Sequence, residues 1–151
     1  MSQPLTLRET IPLVLLYESE DYRIEGRTRF QKLVFLVQEQ IDRDLYQFVP
    51  YDYGPFSKIL LDDLERLEDL GLVEINLKEL YRGGERYDHQ LLPTGVKSVR
   101  NLLENSENPA VIEIHEAAQE AIRQWEDKSM WDLLDHIYEN HQQYKERSVL
   151  Y

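Results

Sequence analysis

FVPYDYGPFSKILLDDLERLEDLGLV, residues 48–73, is the stretch that decides how this chain folds. Pro50, Gly54 and Pro55 prevent a helix from continuing through its first third, and Ser57 then stands where a helix N-cap belongs. Leu60, Leu61, Leu64, Leu67 and Leu70 recur at helical spacing and predict a core-facing stripe, which Gly71 stops. Leu72 and Val73 open a strand. A turn, a capped helix, a glycine stop and a strand in that order predict the second helix of a helix-turn-helix running into the first strand of a wing. The same spacing leaves Lys58, Asp62, Asp63, Glu65, Arg66 and Asp69 outside. Tyr46, Phe48, Tyr51, Tyr53 and Phe56 crowd the corner; these rings either pack the turn against the helices beside it or form a ligand surface.

Downstream, Leu72 to Leu77 alternates apolar and polar residues as a half-buried strand should, and Tyr87 to Leu92 reads as its partner. Between them KELYRGGER, residues 78–86, carries Gly83-Gly84, a hairpin-tip signal. Arg82 and Arg86 could touch phosphate or a minor groove there, or simply be solvated. Pro93-Thr94 opens a helix through Val96, Val99, Leu102 and Leu103 that ends in the 105–108 loop.

Upstream, Leu5 to Ser19 reads as a first helix with Leu5, Ile11, Val14 and Leu15 on one face and Pro12 at an early turn or a kink. Glu18 to Ile24 is polar and reads as a connection. A second helix, from near Gly26 to about Asp42, shows Phe30, Leu33, Val34, Val37 and Ile41 at helical spacing. Phe35 and Leu36 widen that stripe, so this helix is expected at the centre of the core. Arg23, Arg27, Arg29 and Lys32 make its start the densest basic cluster in the chain. Positive charge there opposes the helix dipole, which leaves either a solvated helix start or an anion or nucleic-acid contact. Beyond Pro109 the pattern is long-helical: Val111, Ile114, Ala118, Ala121 and Trp125, then a Ser129 cap and Trp131, Leu134, Ile137, Tyr138 and His141. Two such helices either close over the core or make a dimer surface.

The expected architecture is thus one mostly helical α+β domain. A winged helix-turn-helix core with a two-stranded wing spans residues 5–105, and a C-terminal helical extension spans 109–147. At 151 residues the chain can bury a real core. Its longest apolar run, Ile11 to Tyr17, is far below the roughly 18 residues that span a bilayer, so no membrane partner is expected. The start, MSQPLTLRET, lacks the basic flank and cleavage site of a signal peptide, and a cytoplasmic location is expected. Absence of cysteine excludes disulfides and thiolate chemistry.

Charge works against the most obvious function. The 29 acidic and 17 basic residues give a formal net charge of -12, whereas nucleic-acid binders draw most of their affinity from Lys and Arg on phosphates. Catalytic motifs are missing too. Gly83-Gly84 lacks the Lys-Ser/Thr of a phosphate loop, and no serine sits in a Gly-x-Ser-x-Gly elbow. His136 and His141, near Asp132, Asp135 and Glu139, are five apart, which is poor spacing for one helix face. Asp62-Asp63 and Asp132-Asp135 fall on outer faces. No enzyme activity, metal or cofactor is expected.

Two sets of motifs bear a family resemblance. LERLEDLGLV over 64–73, a hairpin-length gap and LLPTG over 91–95 resemble the second half of many prokaryotic winged-helix regulators. GRTRFQKL over 26–33 followed by YGPFS over 53–57 is similar to the YwgA-like winged-helix proteins of bacteria and archaea and, more distantly, to the Panacea antitoxin domain. The resemblance covers about Arg27 to Gly95. It implies a winged-helix fold, possible dimers and no catalytic residues. The wider regulators bind DNA through positions matching Ser57 to Arg66 and through the wing; here Asp62, Asp63 and Glu65 occupy that stretch.

Two functions remain open at this point. One is a DNA-binding regulator of transcription that contacts double-stranded DNA through Arg27, Arg29, Lys32, Ser57, Lys58, Arg66, Arg82 and Arg86. The other is a protein-interaction module, antitoxin-like or an adaptor. It would meet a partner encoded nearby, or a second copy through its C-terminal helices, using Tyr51, Tyr53, Trp125 and Trp131.

Overall fold

Thr6 and Glu9 start the first helix: the Thr6 hydroxyl accepts from the Glu9 N–H, and the Glu9 carboxylate accepts from the Thr6 N–H at 2.9 Å. In the computed structural model, which describes residues 4–146, 148 and 149, this helix, α1, spans Leu7–Glu18 and runs on through Pro12. Arg147, the last residue expected in the C-terminal extension, lies outside the described residues, as do the first three residues of the chain. The chain then turns through a short 3-10 segment (Glu20–Tyr22) into strand β1 (Arg23–Glu25). The polar connection expected from Glu18 to Ile24 is therefore partly a strand. Three residues are too few to show a period of two, and β1 owes its existence to a partner some 65 residues downstream.

Helix α2 (Arg27–Ile41) follows and buries Phe30, Leu33, Val34, Phe35, Val37 and Ile41, as expected of a central helix. A short antiparallel ribbon, β2 (Val49–Tyr51) and β3 (Gly54–Phe56), forms the aromatic corner, with Tyr51 paired to Gly54. Gly54 takes φ +91°, and a Cβ there would lie 3.2 Å from Lys32 Cε and 3.3 Å from Leu134 Cδ2. Ser57 caps α3 (Lys58–Asp69), its hydroxyl accepting from the Leu60 N–H. Leu60, Leu64 and Leu67 are buried; Leu61 and Leu70, expected beside them, are only half-buried.

Strands β4 (Val73–Glu79) and β5 (Glu85–Leu91) form an antiparallel ribbon in register from Val73↔Leu91 to Glu79↔Glu85. β1 joins the other edge of β5, giving the sheet order β1-β5-β4. Pro93 then begins α4 (Pro93–Asn105). Gly95 is required there, because a Cβ would sit 2.3 Å from the Leu72 carbonyl oxygen.

Asn108 and Ser129 cap α5 (Pro109–Trp125) and α6 (Met130–Asn140), and a last turn, α7, covers Gln142–Lys145. α5 packs along α1 and α2, and α6 packs on α2. Ile114, Ala118, Leu133, Leu134 and Ile137 thereby join Ile11, Leu15, Phe30 and Val34 in one hydrophobic core. Apolar burial on this scale, at about 25 cal/mol per Å², is the main force holding the helices together. The architecture is α+β, mostly helical, with small antiparallel sheets. Among the described residues no helix is long and apolar enough to cross a membrane.

Candidate interaction surface

The acidic character of α3 is not all on its outer face. Asp63, expected outside, is 5% exposed. Arg8 grips it through two bonds, Nε to Oδ2 at 2.7 Å and Nη2 to Oδ1 at 2.9 Å, and the Tyr46 hydroxyl donates to Oδ2 at 2.7 Å. Burial and the neighbouring carboxylate push the Tyr46 phenol far above its usual range, so it remains a donor. One turn on, Arg66 reaches back to the buried Glu9 carboxylate and to the Pro4 carbonyl at 3.1 Å. These pairs hold α3 against α1. Asp63 stands three residues after Leu60 and four before Leu67, so the helical period itself puts it on the flank of the buried stripe. Its charge, the reason to expect it outside, is accommodated there by Arg8 and Tyr46, while Arg66 lies further round and stays half-buried.

The basic start of α2 is likewise engaged. Arg29 donates to the Trp125 and Lys128 carbonyls at 3.2 and 2.6 Å, satisfying carbonyls at the C-terminal end of α5 where a cation is favoured. Lys32 is not on the surface at all. It is 2% exposed and donates through Nζ to the Pro55 carbonyl at 2.8 Å, and burial pulls its ammonium down to about 7. The neighbouring Gln31 side chain brackets Ser57, donating to its carbonyl and accepting from its N–H, both at 2.9 Å. Ser57 is itself buried. Arg27 has neither a carboxylate nor a carbonyl partner for its side chain among the described residues; its guanidinium lies over the Tyr87 ring, 3.5 Å from the centroid.

At the sheet, Arg86 and Arg23 converge on the buried Asp88, with Arg86 Nε 2.7 Å and Arg23 Nη2 3.0 Å from its oxygens. Burial alone would raise the Asp88 carboxyl, but the two guanidiniums outweigh it and hold it below its usual range. Lys58 pairs with Asp62 one turn along α3 at 2.5 Å. What α3 presents to solvent is Lys58, Ile59, Asp62, Glu65, Glu68 and Asp69. The ribbon tip keeps Arg82 exposed, yet it also exposes Leu77, Leu80 and a Tyr81 with no measurable cover.

Among the residues read as partner contacts, Tyr51 and Tyr53 are each 45% exposed on the corner, with Tyr51 stacked on Phe56 at 4.9 Å. Trp125 is instead buried against His136, so α5 closes over the core; Trp131 stays 53% exposed. His136 and His141 diverge, the second pairing with Glu39 and packing edge-on to Phe35. Among the described residues no three acidic or histidine side chains converge as a metal site would need. The apolar tip is visible in the sequence as Leu80-Tyr81 ahead of Gly83-Gly84, set among the charges of Lys78, Glu79, Arg82, Glu85 and Arg86.

No protein-family model matches this chain, and no curated protein matches it.

Proposed function

We propose that this chain is a winged-helix protein that acts as a non-enzymatic protein-interaction module, with the apolar wing tip and the tyrosine corner as its contact surface. The winged-helix reading draws support from the order α1-β1-α2-β2-β3-α3-β4-β5, in which the β2–β3 ribbon stands between the two helices of the expected helix-turn-helix, and from β1 closing on β5 in a β1-β5-β4 sheet. The observation that carries the functional reading is the fate of the eight residues that would meet phosphate. Lys32 and Ser57 are buried, and Arg29, Arg66 and Arg86 are held by acceptors of the same chain. Arg27, Arg82 and Lys58, whose surface pair with Asp62 is weak, are what remains, beside an α3 face dominated by carboxylates. Several carboxylates set against a duplex cost Coulomb energy that these three cations do not offset. Exposed tyrosine and leucine clustered on a hairpin are what a protein partner can bury at the centre of an interface.

On this reading the free chain is a monomer. Ile112 and Trp131 are the large apolar side chains that α5 and α6 leave exposed, too little to form the core of a stable homodimer. The partner is a protein encoded nearby. Co-expression with the product of the adjoining gene is expected to give a stoichiometric complex on gel filtration with light scattering. Leu77→Asp with Tyr81→Asp should dissociate it while leaving the fold intact. A complex indifferent to those changes and to Tyr51→Asp, or a salt-sensitive complex with duplex DNA, overturns the proposal.

A further inference from the structure

The β2–β3 ribbon and the start of α2 line a pocket of about 180 Å³ that opens to solvent beside Tyr51 and Tyr53, with those two rings, Phe56 and Gly54 on one side and Arg27 and Lys32 on the other. We propose that this cavity binds a small aromatic carboxylate, its ring against the Tyr51, Tyr53 and Phe56 side chains and its carboxylate between Arg27 and Lys32.

Size selects the ring. A cavity of roughly 150 Å³ accepts benzene, so this pocket has room for one six-membered ring, with any substituent directed at its open side. Three aromatic walls favour a flat π-system over an aliphatic chain of the same volume. Charge selects the anion. No acidic residue lines the cavity, although the chain has 29 acids to 17 bases. Arg8, Arg23, Arg66 and Arg86 each have a carboxylate partner, whereas Arg27 has none among the described residues. With its face resting on Tyr87, its N–H edge is left for a planar acceptor. Lys32 has three ammonium N–H groups but, among the described residues, a single acceptor, the Pro55 carbonyl. A buried cation so poorly matched is costly, and its fall to about 7 records that cost. A carboxylate brought into the cavity supplies the missing counter-charge and restores the proton. Gly54 lets the ribbon lie close against Lys32, since a Cβ there would stand 3.2 Å from its Cε.

The test is isothermal titration of the full-length protein with benzoate at about pH 8 in buffers of different ionisation heat. Binding in the millimolar range or tighter is expected, with uptake of about one proton per ligand as Lys32 recharges. Benzyl alcohol, which has the ring without the charge, and acetate, which has the charge without the ring, should each bind at least tenfold more weakly. Lys32→Met should abolish the proton uptake and weaken benzoate at least tenfold. Arg27→Gln, a change at a partly exposed site that leaves the core untouched, should weaken it severalfold and so serves if the first variant does not fold. No heat with benzoate, equal binding of benzyl alcohol or acetate, binding without proton uptake, or full affinity in both variants would each overturn the assignment.

Discussion

Replacing Lys32 by methionine removes a buried ammonium and leaves a chain of similar length in the same slot. The folded protein holds this group at about 7, against 10.5 for a free lysine, because burial disfavours the charge. Between those two values the unfolded chain binds a proton that the folded chain has released, so wild-type stability rises with pH through this window. The full difference corresponds to about 5 kcal/mol at 1.36 kcal/mol per pH unit, of which about 2.5 kcal/mol is realised between about pH 6 and about pH 9. Lys32→Met lacks this dependence and loses only one hydrogen bond to the Pro55 carbonyl, worth about 1 kcal/mol. Urea unfolding of both proteins at the two pH values isolates the effect, since every other titrating group cancels in the difference. The variant's stability relative to wild type should be greatest near pH 6 and should shrink by about 2.5 kcal/mol on reaching pH 9. A difference that stays constant across that range would show that the ammonium is solvated and that the burial argument is wrong.

Asp63→Ala should cost about 1–3 kcal/mol in denaturant unfolding, by leaving the buried Tyr46 hydroxyl without its acceptor and the partly exposed Arg8 without its partner. Asp62→Ala, one residue away on the solvated face, should stay within about 0.5 kcal/mol. Gly95→Ala forces a Cβ to within 2.3 Å of the Leu72 carbonyl oxygen, and a loss of about 1–3 kcal/mol is expected in thermal unfolding. His89 is buried edge-on to Phe30, and burial lowers its imidazole to about 4 from 6.5. As pH falls from about 6.5 to about 4 the unfolded chain takes up a proton that the folded chain refuses, so up to about 3 kcal/mol of stability is lost across that window and none beyond it. His89→Leu should flatten this part of the stability–pH curve.

The leucine-faced helix, its Ser57 cap, the Gly71 stop and the β4–β5 ribbon are all legible in the sequence because each is a local pattern with one dominant physical cause. So is the central position of α2. What was not legible comes from pairing across the fold. β1 has three residues and no periodicity of its own, and only β5 makes it a strand. Asp63 has the spacing of the buried stripe but the charge of an outer residue, and nothing local names Arg8 and Tyr46 as the partners that let a carboxylate sit there. Lys32 sits among basic neighbours in sequence, but its place on α2 aims it under the β3 ribbon, at the Pro55 carbonyl. A count of arginines and lysines on a helix therefore overstated what the surface can offer to an anion, because it could not see which carboxylates and carbonyls already hold them.

Fluorescence anisotropy of a labelled duplex, titrated with the protein at low salt, measures most directly whether the cations of this fold are free for phosphate. The expected result is no binding of random-sequence duplex up to about 100 µM, the weak end of ordinary non-specific affinity. Affinity in the micromolar range that falls steeply as salt is raised, and disappears in Arg27→Glu with Arg82→Glu, would contradict the account and return the chain to the DNA-binding class.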